Sequence, residues 1–178
     1  MTTTLLRVLL VEDSEDDALL TLLELRKGGF QTEWDRVDTR TGMDRALAEK
    51  AYELVICDHV MPGFSSAGAL DVMRKRSLDL PFIIVSGVAP EDLVTAAMRQ
   101  GAHDFISKGN LVRLVPAVMR ELKECALRRD RKRIESKLAE SEARMALLAA
   151  AVEQVAEAEA LRARVRELEA QKNDGRSS

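Results

Sequence analysis

Over roughly the first 116 residues the chain alternates short apolar runs with longer segments of helical periodicity. The runs are RVLLV (7–11), TEWDRV (32–37), ELVICD (53–58), PFIIVS (81–86) and DFIS (104–107). Their Val and Ile content predicts strands, and the intervening segments predict helices near 14–27, 40–50, 66–76 and 90–100. Gly28-Gly29, Pro81, Pro90 and Gly101 punctuate the ends, and Ser14 is placed to cap the first helix. Strand and helix in regular alternation predict βα units around a parallel sheet. The first, third and fourth runs are almost wholly apolar, as strands covered on both faces must be, whereas the second alternates and reads as an edge.

The texture changes after Pro116. From Ala117 to Asp174 there is neither Gly nor Pro, and Ala, Glu, Leu, Arg and Val dominate. A continuous helix is predicted, on the order of 80 Å long at 1.5 Å per residue. Leu127, Ile134, Leu138, Met145, Leu148, Val152 and Val155 share one heptad frame, interrupted by Arg131 and Ser141. Leu147, Ala151, Ala158, Leu161, Val165 and Leu168 share a second, with Gln154 among them. Such spacing predicts a coiled coil, and the overlap of frames near 145–155 predicts a local change of winding. A helix folded back on its own domain is the alternative, disfavoured because the segment is too long for so small a surface. The expected divisions are 1–125 for the α/β domain, 126–172 for the coiled-coil helix and 173–178 for a disordered tail.

With 46% hydrophobic residues, 178 residues suffice for one packed core plus an extension. The net charge is −3 and unevenly spread: residues 1–119 hold 13 basic and 18 acidic side chains, residues 120–178 hold 14 and 12. Neither part has the basic excess expected of a nucleic-acid binder. RRDRKR (128–133) lies among Glu124, Asp130 and Glu135 and reads as a solvated helix face. Cys57 and Cys125 form no disulfide or metal spacing, and no run near the start is long enough for a leader or membrane span. A cytoplasmic protein with no membrane partner is expected.

Chemistry is expected beyond the carboxyl ends of the strands, where open α/β sheets build their sites. The first strand delivers Glu12 and Asp13, the third Asp58, the fourth Ser86 and the fifth Lys108. Several acids converging on one edge call for a cation, and oxygen-only ligands suit Mg²⁺. Lys108 and Ser86 could neutralise the oxygens of a phosphoryl group, and a carboxylate is an able nucleophile at phosphorus. Asp58 alone among these acids sits within an otherwise apolar run, which marks it as the one with a task.

The stretches VEDSEDD, ICDHVMPG, IIVSG and AHDFISKGN together resemble the receiver domain of two-component response regulators, in order and spacing, across residues 5 to about 125. The resemblance implies a flavodoxin-like, doubly wound five-stranded parallel sheet of order 2-1-3-4-5 and Mg²⁺-dependent phosphotransfer from a histidine kinase or phosphotransfer protein. By position it implies Asp58 as phosphoacceptor, with Asp13 as metal ligand, Glu12 acting through a water and the backbone carbonyl of Val60 completing the set. Ser86 and Lys108 would bind phosphoryl oxygens, and Ser86 with Phe105 would form the switch. Gly109 stands where such receivers commonly carry Pro after the lysine, and Phe105 lacks a hydroxyl, so its switching would be one of packing.

Plainer readings accompany these. Glu12 and Asp13 could merely favour a helix start, Phe105 is core packing first, and His59 and His103 read as bystanders rather than metal ligands or relay groups. The leading expectation is a phosphorylatable receiver feeding a parallel homodimeric coiled coil that acts on an output module or partner. It would not be a turnover enzyme, its chemistry being confined to gain and loss of the phosphoryl group at Asp58. A pseudo-receiver serving only as a dimerisation or adaptor module is the alternative. An aspartyl phosphohydrolase would want a second acid two residues after the nucleophile, where Val60 stands.

Overall fold

The computed structural model describes residues 4–87 and 90–174, with side chains as far as residue 167. The chain divides into two units, residues 1–128 and 129–178.

In the first unit the five expected strands form one parallel sheet. They are β1 (Thr4–Val11), β2 (Phe30–Val37), β3 (Leu54–Cys57), β6 (Phe82–Ser86) and β7 (Asp104–Ser107), in the order β2-β1-β3-β6-β7. Counting sheet strands alone, this is the predicted 2-1-3-4-5, with β2 at an edge. A two-stranded antiparallel hairpin, β4 (Val60–Met61) and β5 (Phe64–Ser65), was not anticipated. Its strands are too short to show a period, and Pro62-Gly63 turns the chain between them with Gly63 at φ +76.

Side chains of a strand alternate between faces, and the core follows that alternation. Leu9 and Val11 of β1 join Val55, Cys57, Ile84 and Phe105 on one face, packed by α2 (Arg40–Glu49), α3 (Ser66–Lys75) and α4 (Glu91–Arg99). Leu6, Val8 and Leu10 join Ile56, Ile83, Val85 and Ile106 on the other, under α1 (Glu15–Lys27) and the start of α5 (Leu114–Asp174). All four residues of β3 are buried. Burial of each such aliphatic side chain contributes about 1.5–3 kcal/mol, which keeps the central strand fixed beneath whatever stands at its end.

The start of α1 is capped by Ser14 as the sequence suggests, and Thr39 and Ser65 cap α2 and α3 in the same way. Ser14 Oγ accepts from the Asp17 N–H at 3.3 Å, Thr39 from Gly42 and Ser65 from Gly68. At the other end of α1, Gly28 is required by proximity: a Cβ there would sit 2.5 Å from both methyls of Val115. The helix α5 begins at Leu114, ahead of the predicted start, because Pro116 falls in the first turn, where its missing N–H costs no hydrogen bond.

The second unit is helical from Arg129 through Asp174. Asn173 and Asp174, expected in the tail, are thus helical, while residues 175–178 lie outside the described residues. Every described side chain of this unit is exposed. Of the heptad positions, Ile134, Leu138, Met145, Leu148, Val152, Val155, Leu161 and Val165 are 47–69% exposed, and Leu168 lies outside the described side chains. No helix among the described residues is long and apolar enough to cross a membrane.

Candidate functional site

Three strand ends meet at one edge of the sheet. Glu12 follows β1, and its N–H bonds to the Val37 carbonyl at 2.9 Å; Asp58 follows β3, and its N–H bonds to the Val11 carbonyl at 2.8 Å. Lys108 follows β7 and opens a 3-10 turn, Lys108–Arg113, whose first turn is capped by Ser107 Oγ accepting from Gly109 N–H at 3.3 Å. Gly109 therefore gives the loop a tight turn directly after the lysine.

The three side chains converge. Lys108 Nζ donates to Asp58 Oδ2 at 2.7 Å and to Glu12 Oε2 at 3.0 Å, and its third partner is the carboxylate of Asp17 from the first turn of α1. An ammonium has three donors, and all three of these are committed to carboxylates. Asp58, whose side chain is 12% exposed, lies in the well while Asp17 sits nearer the rim at 35%. Burial raises the Glu12 carboxyl above its ordinary pKa, and the Asp58 charge adds to that, against hydrogen bonds from Lys108 and the Ser14 N–H. Burial also works against the Lys108 ammonium, but its bonds to Asp17, Asp58 and Glu12 together outweigh it and raise the pKa. The Cys57 thiol beneath is pushed well up by burial, then by Asp58 and Glu12, so it is an inert part of the floor.

Glu12, Asp17 and Asp58 each offer a carboxylate oxygen within 4.8 Å of the others. An all-oxygen anionic set of this size fits a hard divalent cation, and the ammonium among them already occupies a place where positive charge is favoured.

The other predicted residues are distributed around this well. Ser86 ends β6, buried, in register with Ser107. Val60 stands in the hairpin, its N–H 3.5 Å from Asp58 Oδ1. Phe105 is buried in the core on the α2–α4 face. The Asp13 side chain is exposed and outside the trio of acids; its backbone carbonyl, and that of Glu12, accept from Arg36 Nη1 at 3.1 and 3.0 Å.

Asp17, Arg36 and His59 make contacts at or beside the well that the sequence did not single out. Asp17 carried a signal in hindsight, since a helix capped at Ser14 returns its first turn over the strand end, but an acid there is equally explained by the dipole. His59 Nδ1 lies 2.8 Å from Ser66 Oγ, and its ring packs on Phe105. His103 Nδ1 accepts from the Phe82 N–H at 3.1 Å. Arg128 departs from the solvated face expected of RRDRKR by pairing with Asp79 at 3.0 Å. A cleft lined by Arg7, Glu33, Trp34, Asp35, Lys50 and Tyr52 lies apart from the well; of its charges, Lys50 pairs with Asp35 at 2.8 Å and Arg7 with Glu53 at 3.4 Å.

The comparisons with known proteins agree with this geometry. Residues 8–119 match the response regulator receiver domain family. Among curated proteins, the chain is 38% identical over 104 residues to the response regulator protein FleR of Pseudomonas aeruginosa, covering 57% of this chain and 21% of FleR. It is 31% identical over 129 residues to the nitrogen assimilation regulatory protein NtrX of Azorhizobium caulinodans, covering 69% of this chain and 27% of that one. The chain thus spans less than a third of the length of these relatives. Among solved structures, NtrX from Brucella abortus superposes with a TM-score of 0.64 at 26% identity, covering 74% of this chain and 30% of that one. A signal receiver domain from Vibrio parahaemolyticus gives 0.62 at 28% identity, covering 69% and 94%. With five parallel strands in this order, an acid at the end of the central strand held by the fifth-strand lysine, and the match over residues 8–119, the chain belongs to the response regulator receiver family of two-component systems.

Proposed function

We propose that Asp58 accepts a phosphoryl group from the phosphohistidine of a sensor histidine kinase or phosphotransfer protein. The observation that carries this reading is the Lys108 ammonium 2.7 Å from Asp58 Oδ2, at the floor of a well walled by carboxylates. A carboxylate oxygen of Asp58 attacks phosphorus as the phosphorus–nitrogen bond breaks, and the electron pair returns to the imidazole. The rigid β3 holds the nucleophile still, and Lys108 and the Ser86 hydroxyl meet the phosphoryl oxygens. Asp13, Asp58, the Val60 carbonyl and, through a water, Glu12 would hold Mg²⁺. When bound, that ion neutralises the acids and draws charge from the phosphoryl oxygens. Hydrolysis of the acyl phosphate returns Asp58 to its starting state, so the chain is a signalling switch and not a turnover enzyme.

Ser86 and Phe105 form the switch in this reading, and the second unit carries its output. Its exposed apolar positions at heptad spacing support a parallel homodimeric coiled coil, because a helix of this length is stabilised by a partner rather than by propensity. The dimer would pass the state of Asp58 to an output module or partner. Buried thiols and a charge balance without basic excess support a cytoplasmic setting with neither nucleic acid nor membrane as partner. The test is the amide NMR spectrum on adding Mg²⁺ with beryllofluoride, a phosphoryl mimic. Shifts centred on Asp58, Ser86 and Lys108 are expected, and an unchanged spectrum would favour a receiver that serves only as an adaptor.

A further inference from the structure

Asp17 is the one partner of Lys108 that the proposed metal set leaves unused. Once a divalent cation draws on Glu12 and Asp58, two of the three bonds of the ammonium are contested, and two positive charges share a well only a few ångströms wide. Coulomb repulsion between them is strong where water is scarce. Asp17 is positioned to resolve this. Its backbone is fixed from both sides: the Asp17 N–H donates to Ser14 Oγ at 3.3 Å, and its carbonyl accepts from Thr21 Oγ1 at 2.9 Å. The N-terminus of α1 favours its negative charge. Its carboxylate stands toward the rim, so an ammonium held by it alone is drawn to the α1 side and off the metal ligands.

We propose that Asp17 is a positioning residue that draws Lys108 toward α1 when the metal enters, so that metal and ammonium meet the phosphoryl group from different sides. The inference rests on the reading of Asp58 as a Mg²⁺-dependent acceptor, and it assigns Asp17 no contact with phosphoryl group or metal. In the metal-free protein Asp17 shares the ammonium with Glu12 and Asp58; without Asp17, Lys108 competes fully with Mg²⁺ for those two acids. Removing the carboxylate should therefore weaken the metal through Lys108.

A calorimetric Mg²⁺ titration of the full chain, of Asp17→Asn, of Lys108→Met and of the double variant separates this from the alternatives. Asp17→Asn is expected to weaken Mg²⁺ about tenfold with Lys108 present and about twofold in the Lys108→Met background, a coupling of the size that contacting charged groups show. A second readout concerns the lysine itself. The Lys108 ammonium ¹⁵N signal should persist in the Mg²⁺-bound parent chain and be lost to exchange in Asp17→Asn, with far-ultraviolet circular dichroism confirming that the variants are folded. Equal weakening in both backgrounds would make Asp17 a direct metal ligand and overturn the inference, as would no weakening in either. A parent chain that binds no Mg²⁺ would fail differently, removing the metal site and with it the inference.

Discussion

The ring of His59 lies 6.0 Å from that of Phe105, centroid to centroid, tilted by 57°. His59 directly follows Asp58 in the chain, and its Nδ1 is held 2.8 Å from Ser66 Oγ at the start of α3. The segment that follows β3 is thereby joined to the buried aromatic of β7 by one side chain. His59→Ala should cost about 1–2 kcal/mol in urea unfolding, from one aromatic contact and one hydrogen bond. A double-mutant cycle with Phe105→Leu should show coupling of at least about 0.5 kcal/mol; strictly additive effects would mean that the two rings do not communicate.

A pH dependence follows from His103. Its Nδ1 accepts from the Phe82 N–H at 3.1 Å, so in the neutral ring the proton is on Nε2, which faces Arg128 Nη2 at 3.4 Å. Burial lowers its pKa below the ordinary 6.5, and Arg128 adds to that against the opposing influence of Glu121, Asp79 and Glu124. Because the unfolded chain takes up the proton more readily, the stability contributed by neutral His103 is fully present above pH 6.5 and is lost as pH falls below it. Unfolding midpoints in urea should fall between pH 7.5 and pH 5, with a shallower fall in His103→Gln. An identical slope in the variant would assign the effect elsewhere.

The closeness of α1 and α5 gives a packing prediction. Gly28→Ala places a Cβ against the methyls of Val115, which the structure puts 2.5 Å away, at a φ of −77 that any residue tolerates. Overpacking should cost about 1–3 kcal/mol. Val115→Ala, added to it, should recover part of that loss. A Gly28→Ala chain as stable as the parent would show that the two helices can separate freely.

Legibility in the sequence followed physical strength. The strand 104–107 and the boundaries of α1 to α4 were readable to within about a residue, because apolar runs, caps and Gly or Pro stops act locally. Glu12, Asp58 and Lys108 were readable because parallel strands must place their carboxyl ends together. The hairpin at 60–65 was not, since two-residue strands have no period. Asp17 was not singled out because an acid in the first turn of a helix is ordinary, and the contacts of His59 were not, because they depend on tertiary packing. Its tie to Ser66 depends on where α3 begins, which is a tertiary fact.

The exposed heptad positions of the second unit predict its assembly. Sedimentation equilibrium of the full chain should give a dimer, and replacing Leu138 and Leu148 by Asp should give a folded monomer with the receiver sheet intact by circular dichroism. A parent chain that sediments as a monomer at high micromolar concentration would defeat the coiled-coil reading.

Intact mass spectrometry after incubation with Mg²⁺ and a small acyl phosphate tests the central claim most directly. The account predicts that the chain gains the mass of one phosphoryl group, that the group maps to Asp58, and that Asp58→Asn gains none. A parent chain that gains nothing, or an Asp58→Asn chain that is labelled as fully as the parent, would contradict it.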